Sequence, residues 1–371
     1  MTPDNAPDAQ PLLIVKFIDD ATGQMIEVQG DSFAPLDLAT LVQALRSPGK
    51  PLTFPLQLTN ATVRSDLPEL AEDPTQTVRV RIDSPFTNDV IALVPGGWMT
   101  AAMCPPDALL MVDQNVFSIF DRHLRSDRNP ALPPDFLMLL RERESSFSPI
   151  LYMMEGQLGR PSETVEELEA SYDRFASRIA THFPKAKTVP PREQSAPGAL
   201  SLLKQRKERY VRECAFLVEV APLLIPETGR AKRDQVWDQL EASAARHGVP
   251  RMSYVFMAVL CATSTSPEFN AGRMILKPRP GFDRGDAHNA VSDLIALELM
   301  NNVIAAFPGK WPVFLTHDRG LALLWNGART HSHVRGPSHT RFRVTFLRPL
   351  FDRLTPEQDA RLVAMIADAG D

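Results

Sequence analysis

Two short apolar runs of this chain end in an aspartate: Leu109–Val112 leads into Asp113, and Pro312–Thr316 leads through His317 into Asp318. In a parallel α/β sheet the carboxyl ends of the strands border the ligand crevice. Two carboxylates at that edge repel each other unless a cation lies between them. Mg²⁺ and Mn²⁺ prefer oxygen ligands of this kind. Asp286, Asn289 and Asp293 add a third piece, because the spacing i, i+3, i+7 puts them on one face of the helix expected over 287–307. Glu155 is the fourth piece. It closes the apolar run SPILYMME just before Gly156, and carboxylates on such runs are uncommon without a partner. Simple capping is the structural reading of the helix-start residues, and an exposed helix end is that of Glu155.

These residues need strands and helices to hold them. The chain has 371 residues, 44% apolar and 23% charged, a composition that supports a large core and two domains. Residues 1–104 read as a small β-rich domain. LLIVKFID and MIEVQ flank the turn DATGQ as a hairpin, VRVRI alternates as a half-buried strand, FTNDVIALV is a further strand, and 37–45 is a helix. Residues 105–371 form the second domain, in which ALLMV (108–112) and PVFLT (312–316) are buried strands of a parallel sheet. Helices are expected over 116–124, 135–143, 150–157 and 162–182, the last capped by Ser162. Residues 184–200 are Pro-rich and polar, hence a loop. Helices follow over 201–224, 233–247 and 252–263, with 266–285 irregular. A helix begins at Arg319, a strand runs over 341–346, and an amphipathic helix over 355–369 closes the chain.

Taken in order, the four acidic positions resemble the PIN-like nuclease family. LLMVDQNVFS is similar to that family's opening strand, with Asp113, Asn115 and Ser118; Glu155 matches the acidic residue on a following helix; Asp293 matches the Asp opening a long helix; and VFLTHDRGL matches the strand and Thr-x-Asp turn, with Thr316 and Asp318. The matching segments are 107–160 and 285–326, separated by about 125 residues where the family is compact. Asp286 competes with Asp293 for the third position, and Asp293 is preferred because its helix leads directly into the Asp318 strand.

The resemblance implies a three-layer α/β/α domain with a central parallel sheet and a helical insertion at 160–285. It implies a metal-dependent nuclease in which Asp113, Glu155, Asp293 and Asp318, with Asp286 as the competing ligand, hold Mg²⁺ or Mn²⁺. Such an ion lowers the pKa of a bound water and polarises a phosphodiester. Asn115, Ser118, Asn289 and Thr316 would orient the ligands by hydrogen bonds. The substrate implied is RNA or single-stranded nucleic acid, cut to a 5′-phosphate and a 3′-hydroxyl.

The charge distribution fits such a substrate. Residues 1–105 hold 6 basic and 13 acidic side chains, whereas 184–212 hold eight Lys/Arg against two Glu, and 329–348 hold five Arg, three His and no acid. Phosphate contacts are expected from Lys204 and Lys207, and first of all from Arg319, Arg329, Arg335, Arg341 and Arg343, which follow the Asp318 turn.

Rival chemistries lack their residues. A haloacid-dehalogenase-type phosphatase wants a second acid where Asn115 stands. His331, His333 and His339 have no Cys or acid beside them for zinc, and Cys104, Cys214 and Cys261 form no CxxC. No GxGxxG or P-loop occurs, and Trp237 and Trp325 read as packing residues. No apolar stretch is long enough to span a bilayer, and the polar, acidic first ten residues are no signal peptide, so the expected location is cytoplasmic. The alternative from a different class is a PIN-like fold without activity, used as a binding or regulatory module with protein partners on the N-terminal domain.

Overall fold

The structure is a computed structural model of the chain, and it describes residues 13–18, 23, 25–30, 32–46, 52–65, 76–84, 90–105, 108–125, 140–141, 143–155, 162–307, 311–335 and 340–367. Strands β1 (Leu13–Ile18) and β2 (Met25–Gly30) pair antiparallel, Ile14 opposite Gln29, as the hairpin pattern predicts. They continue through β3 (Ser32–Phe33), helix α1 (Leu38–Arg46), β4 (Leu52–Ser65) and β5 (Gln76–Ser84). The resulting sheet has the order β1-β2-β4-β3, with β5 on the long strand β4.

The next two strands leave that sheet. β6 (Ile91–Val94) and β7 (Gly97–Thr100) are joined at Gly96, whose φ of 79° is the left-handed turn conformation that favours glycine. Both strands are buried along their whole length, so they need cover on two faces. They find it in a six-stranded sheet with β8 (Leu109–Val112), β9 (Ser146–Ser148), β10 (Lys187–Thr188) and β11 (Pro312–Thr316), in the order β10-β9-β8-β11-β6-β7. The first four of these are mutually parallel, and β6 runs antiparallel to β11 with Leu93 opposite Phe314. The expected boundary at 104 is therefore corrected: a break there would cut β6 and β7 from the sheet they complete. The molecule is an α/β protein with a mostly parallel central sheet.

Alternation along the central strands splits the core in two. Leu110 and Val112 of β8 and Val313 and Leu315 of β11 face one side, with Phe117 and Phe120 of helix α2 (Gln114–Arg125). Met111 and Phe314 face the other side, among the larger set of helices. Those helices are α3 (Ile150–Glu155), α4 (Val165–His182), α5 (Arg192–Leu224), α6 (Arg233–His247), α7 (Tyr254–Ser264), α8 (Ala271–Leu276), α9 (Arg284–Ala306) and α10 (Arg319–Gly327), although α4 also sends Phe175 and Ile179 to the first side. A two-stranded ribbon, β12 (Ala328–Arg335) and β13 (Thr340–Phe346), and helix α11 (Pro356–Ala367) complete the chain. Among the described residues, no helix is long and apolar enough to cross a membrane.

Three helical expectations are corrected. The cap of α4 is Thr164, not Ser162: its hydroxyl accepts the Glu167 N–H at 3.2 Å, while the Glu167 carboxylate accepts the N–H of Glu163, the residue before the cap, at 2.8 Å. The loop over 184–200 ends early, because α5 starts at Arg192 and runs through Pro197. Ala196 and Ala199, on either side of it, are fully buried in the core. The irregular stretch 266–285 contains α8, capped by Asn270 on the Arg273 N–H at 2.9 Å. The helix expected over 135–143 lies largely outside the described residues.

Candidate carboxylate site

Both strand-end aspartates stand where a buried parallel strand turns into a helix. Asp113 follows β8 and opens α2; Asp318 follows β11 and opens α10. β8 and β11 are adjacent and in register, Val112 opposite Leu315, so the two aspartates share one edge of the sheet. Thr316 ties them together. Its buried hydroxyl donates to Asp113 Oδ2 at 3.0 Å and accepts the Asp318 N–H at 3.0 Å. The Asn115 N–H donates to Asp113 Oδ1 at 2.7 Å, and Asp318 Oδ1 caps α10 through the Leu321 N–H at 2.9 Å. Gly320 lets that first turn approach α8: a Cβ there would lie 2.8 Å from Met274 Cβ and from Ile275 Cγ1.

Glu155, the last residue of α3, and Asp293, in the third turn of α9, reach the same place. Asp113, Glu155 and Asp293 all line one cavity of about 520 Å³. Their charges oppose one another. Burial raises the Asp113 carboxyl, against hydrogen bonds from Asn115 and Thr316 that lower it, and Asp318 adds a further upward push. Burial, then the Asp113 charge, lifts Glu155 to about 7 despite a hydrogen bond from the Gln114 N–H. Asp293 is held well above the ordinary carboxylate range by burial and by Asp318, Asp113 and Glu155 together, against the downward pull of Lys277. The sequence thus names the four acids that the fold couples.

Other expected members stand elsewhere. Asp286 belongs to the capping box of α9, where Asp283 accepts the Asp286 N–H and Asp286 accepts the Asp283 N–H, and it is paired with Arg279 at 2.9 Å. It lies two helical turns before Asp293 and, unlike Asp293, does not line the cavity. Asn289 and Ser118 are exposed on their helices, and Asn115 contributes its backbone N–H. The stripe of α9 that meets the cavity is instead Gly285, His288, Ser292, Asp293, Ala296 and Leu299.

The basic residues also redistribute. Lys204 and Lys207 are exposed on α5 and line the cavity. Their neighbours Arg206 and Arg209 are held by Glu298 of α9 at 2.7 and 3.0 Å, and Arg209 also by buried Glu213 at 2.9 Å. Arg319, Arg329 and Arg343, expected to rank first, do not line the cavity. Arg329 is turned toward Asp37 at the start of α1, whose carboxyl it helps to lower. Arg343 lies exposed on β13 opposite His331, and the side chains of Arg335 and Arg341 lie outside the described residues. His333 is bound to Asn301 Oδ1 at 2.7 Å rather than paired for a metal.

Sequence reading missed three contributors: Arg284 at the start of α9, and the pair formed by Tyr210 and His288, which hydrogen-bond through the tyrosine hydroxyl and His288 Nδ1. Burial lowers His288 and raises Tyr210, keeping both neutral. Tyr210 sits i+3 from Lys207 on α5, and i, i+3 spacing on a polar face is the signal that would have found it.

A divalent cation suits this donor set in kind. The four groups are hard oxygen ligands from four separate elements, and burial first, then repulsion among them, raises three of them. As they stand, no group of three His, Cys, Asp or Glu among the described residues is gathered closely enough to hold an ion. Neither the family models, the curated proteins nor the solved structures contain a match to this chain.

Proposed function

We propose that the chain hydrolyses phosphodiester bonds of RNA or another single-stranded nucleic acid at a Mg²⁺ or Mn²⁺ site made by Asp113, Glu155, Asp293 and Asp318. The observation that carries the reading is the convergence of Asp113, Glu155 and Asp293 on one cavity, with Asp318 on the same sheet edge as Asp113: burial first, and then the neighbouring carboxylates, raise the proton affinity of the three that line it. A fold retains such a cluster at a cost in stability, and a divalent cation relieves it. When bound, the ion would lower the pKa of a water and polarise the phosphodiester.

The chain's own residues do the rest. Thr316 and the Asn115 N–H fix both oxygens of Asp113, so its orientation is set before any ligand arrives. Asp318 is divided between capping α10 and facing the other acids. Without metal, burial and then the Asp113 charge lift Glu155 to about 7, so binding of the ion would release a proton from it near neutral pH. Lys204, Lys207 and Arg284 supply the cations that hold phosphate near a site which otherwise repels it.

The absence of a gathered triad favours a second reading, a PIN-like binding or regulatory module. Calorimetric titration of Mn²⁺ into wild type and Asp113→Asn, followed by incubation of both with labelled single-stranded RNA, separates the two. Metal binding and cleavage, both lost in a folded Asp113→Asn, are expected for the enzyme. A folded wild type that binds no Mn²⁺ would leave the module.

A further inference from the structure

A second polar cluster shares the cavity with the carboxylates, and it is built around one hydrogen bond. The Tyr210 hydroxyl of α5 meets Nδ1 of His288 in α9. The pairs between the two helices fix their register: Arg206 and Arg209 meet Glu298 far along α9, whereas Tyr210 meets His288 near its start, so the helices run antiparallel. Arg284 lies four residues before His288, and Lys207 three residues before Tyr210. Each therefore stands one turn from that bond, on the same face of its own helix. The charge of Arg284 reaches the same place, because it pulls down Tyr210 and Cys214 against the burial that raises both. Lys207, Tyr210, Arg284 and His288 all line the cavity. Asp293 stands five residues beyond His288, a rise of about 7.5 Å along α9. The charges acting on it are those of Asp318, Asp113, Glu155 and Lys277.

The cluster is short of acceptors. His288 is 4% exposed, and burial lowers its proton affinity, so the ring is neutral. Cys214 also reaches the Tyr210 hydroxyl, but a thiol is a weaker acceptor than an imidazole nitrogen. The hydroxyl accordingly donates to Nδ1, and the ring proton sits on Nε2. Among the described residues Nε2 has no hydrogen-bond partner, and the exposed side chains of Lys207 and Arg284 have no ion pair. The amides at the start of α9 are already used, since Asp283 accepts the N–H groups of Gly285 and Asp286. A nearly buried donor with two unpaired cations one turn away is completed by an anion, and a phosphate oxygen accepts from all three.

We propose that Arg284, His288 and Lys207 form a subsite for a phosphate group other than the one hydrolysed, with Tyr210 as the positioning residue that holds the His288 ring and keeps its proton on Nε2. This rests on the hydrolytic reading for the phosphate at the carboxylates, and adds a second phosphate of the same substrate. No bond is made or broken at the subsite. It binds and orients.

One test needs neither metal nor cleavage. Inorganic phosphate is titrated into metal-free, full-length protein while the ring nitrogens of His288 are followed by NMR. A saturable shift at Nε2 is expected. Arg284→Gln with Lys207→Gln, at two exposed positions, should weaken that binding about tenfold or more. Tyr210→Phe should move the ring proton toward Nδ1, read from the two nitrogen shifts. The second test uses Mn²⁺ and compares a dinucleoside monophosphate with the same compound carrying a further phosphate at its 5′ or its 3′ end. One of the two phosphorylated forms should show a KM about tenfold lower with kcat little changed, and His288→Gln should erase that difference. A merely structural role for His288 would slow all three substrates alike and keep their ratio. A His288 ring indifferent to phosphate, a shift that survives loss of both cations, or equal KM for all three substrates in an active enzyme would overturn the subsite and leave the nuclease reading standing. Phosphate binding that follows the cluster while nothing is cut removes the hydrolytic reading alone.

Discussion

Arg233 and the carboxylate cavity bury charge in opposite ways. Arg233, the first residue of α6, is 0% exposed and each of its nitrogens is hydrogen-bonded: Nε to Thr263 O at 3.0 Å, Nη1 to Arg353 O at 2.6 Å and to Gln358 Oε1 at 2.8 Å, and Nη2 to Thr228 O at 3.5 Å. Its partners are neutral acceptors from four segments, so the guanidinium fastens α11 and the end of the chain to the helical core. The carboxylate cavity buries more charge and completes less of it. Its residues face one another with the same sign, and the hydrogen bonds from Thr316, Asn115 and Gln114 only partly offset the loss of water. A finished network stabilises a fold; an unfinished one of like charges stores a preference for something the chain does not supply.

Three experiments would break or sharpen this contrast. The largest effect is expected at Arg233. Arg233→Met leaves buried carbonyls without a donor and should cost about 3–5 kcal/mol, read as a lower urea midpoint at unchanged slope. A loss under about 1 kcal/mol would mean the network is not what fastens the C-terminal helix. The acidic cluster should behave in reverse. Its folded carboxyls bind protons more tightly than unfolded ones, so the folded state holds the excess protons between pH 4.5 and about 7. Stability is therefore full below the unfolded value and falls as pH rises through that window, by up to about 3 kcal/mol for Glu155 alone before relaxation. Metal-free denaturation at pH 5 and pH 7.5 checks the sign, and Mn²⁺ at about 100 times its Kd should restore about 2.7 kcal/mol at the higher pH. A metal-free protein more stable at pH 7.5 would mean that the acids are not coupled. The smallest effect belongs to Thr316. Thr316→Val removes one donor to Asp113 and the acceptor of the Asp318 N–H. We expect a loss of about 1–2 kcal/mol in stability and roughly 10–100-fold in Mn²⁺ affinity, with Ser118→Ala and Asn289→Ala near neutral as exposed controls.

Much of the positioning frame was legible in the chain itself. LLMV and PVFLT are continuous apolar runs too short for helices, and strands buried on both faces are written that way. The aspartates after them were legible because a polar residue that ends such a run must sit at the sheet edge. The helix over 233–247 was read to its ends, since Gly248 marks the stop with a φ of 62°. Less local features were not legible. FTNDVIALV carries no mark saying which sheet it joins, because β6 pairs with β11, more than 200 residues away. Pro197 reads as a loop signal, and only burial of the residues around it makes it helical.

The sequence by itself determined which side chains bear charge and which strands and helices end at them, since strand and cap signals act over a few residues. It ranks Asp293 ahead of Asp286 by chain order alone, and it sets the arginines after Asp318 ahead of Lys204 and Lys207, an order that the cavity lining does not follow. Those choices depend on which helix face meets the cavity and on which charges other side chains have already neutralised. Both are set by packing between elements far apart in the chain, and the tertiary structure alone decides them.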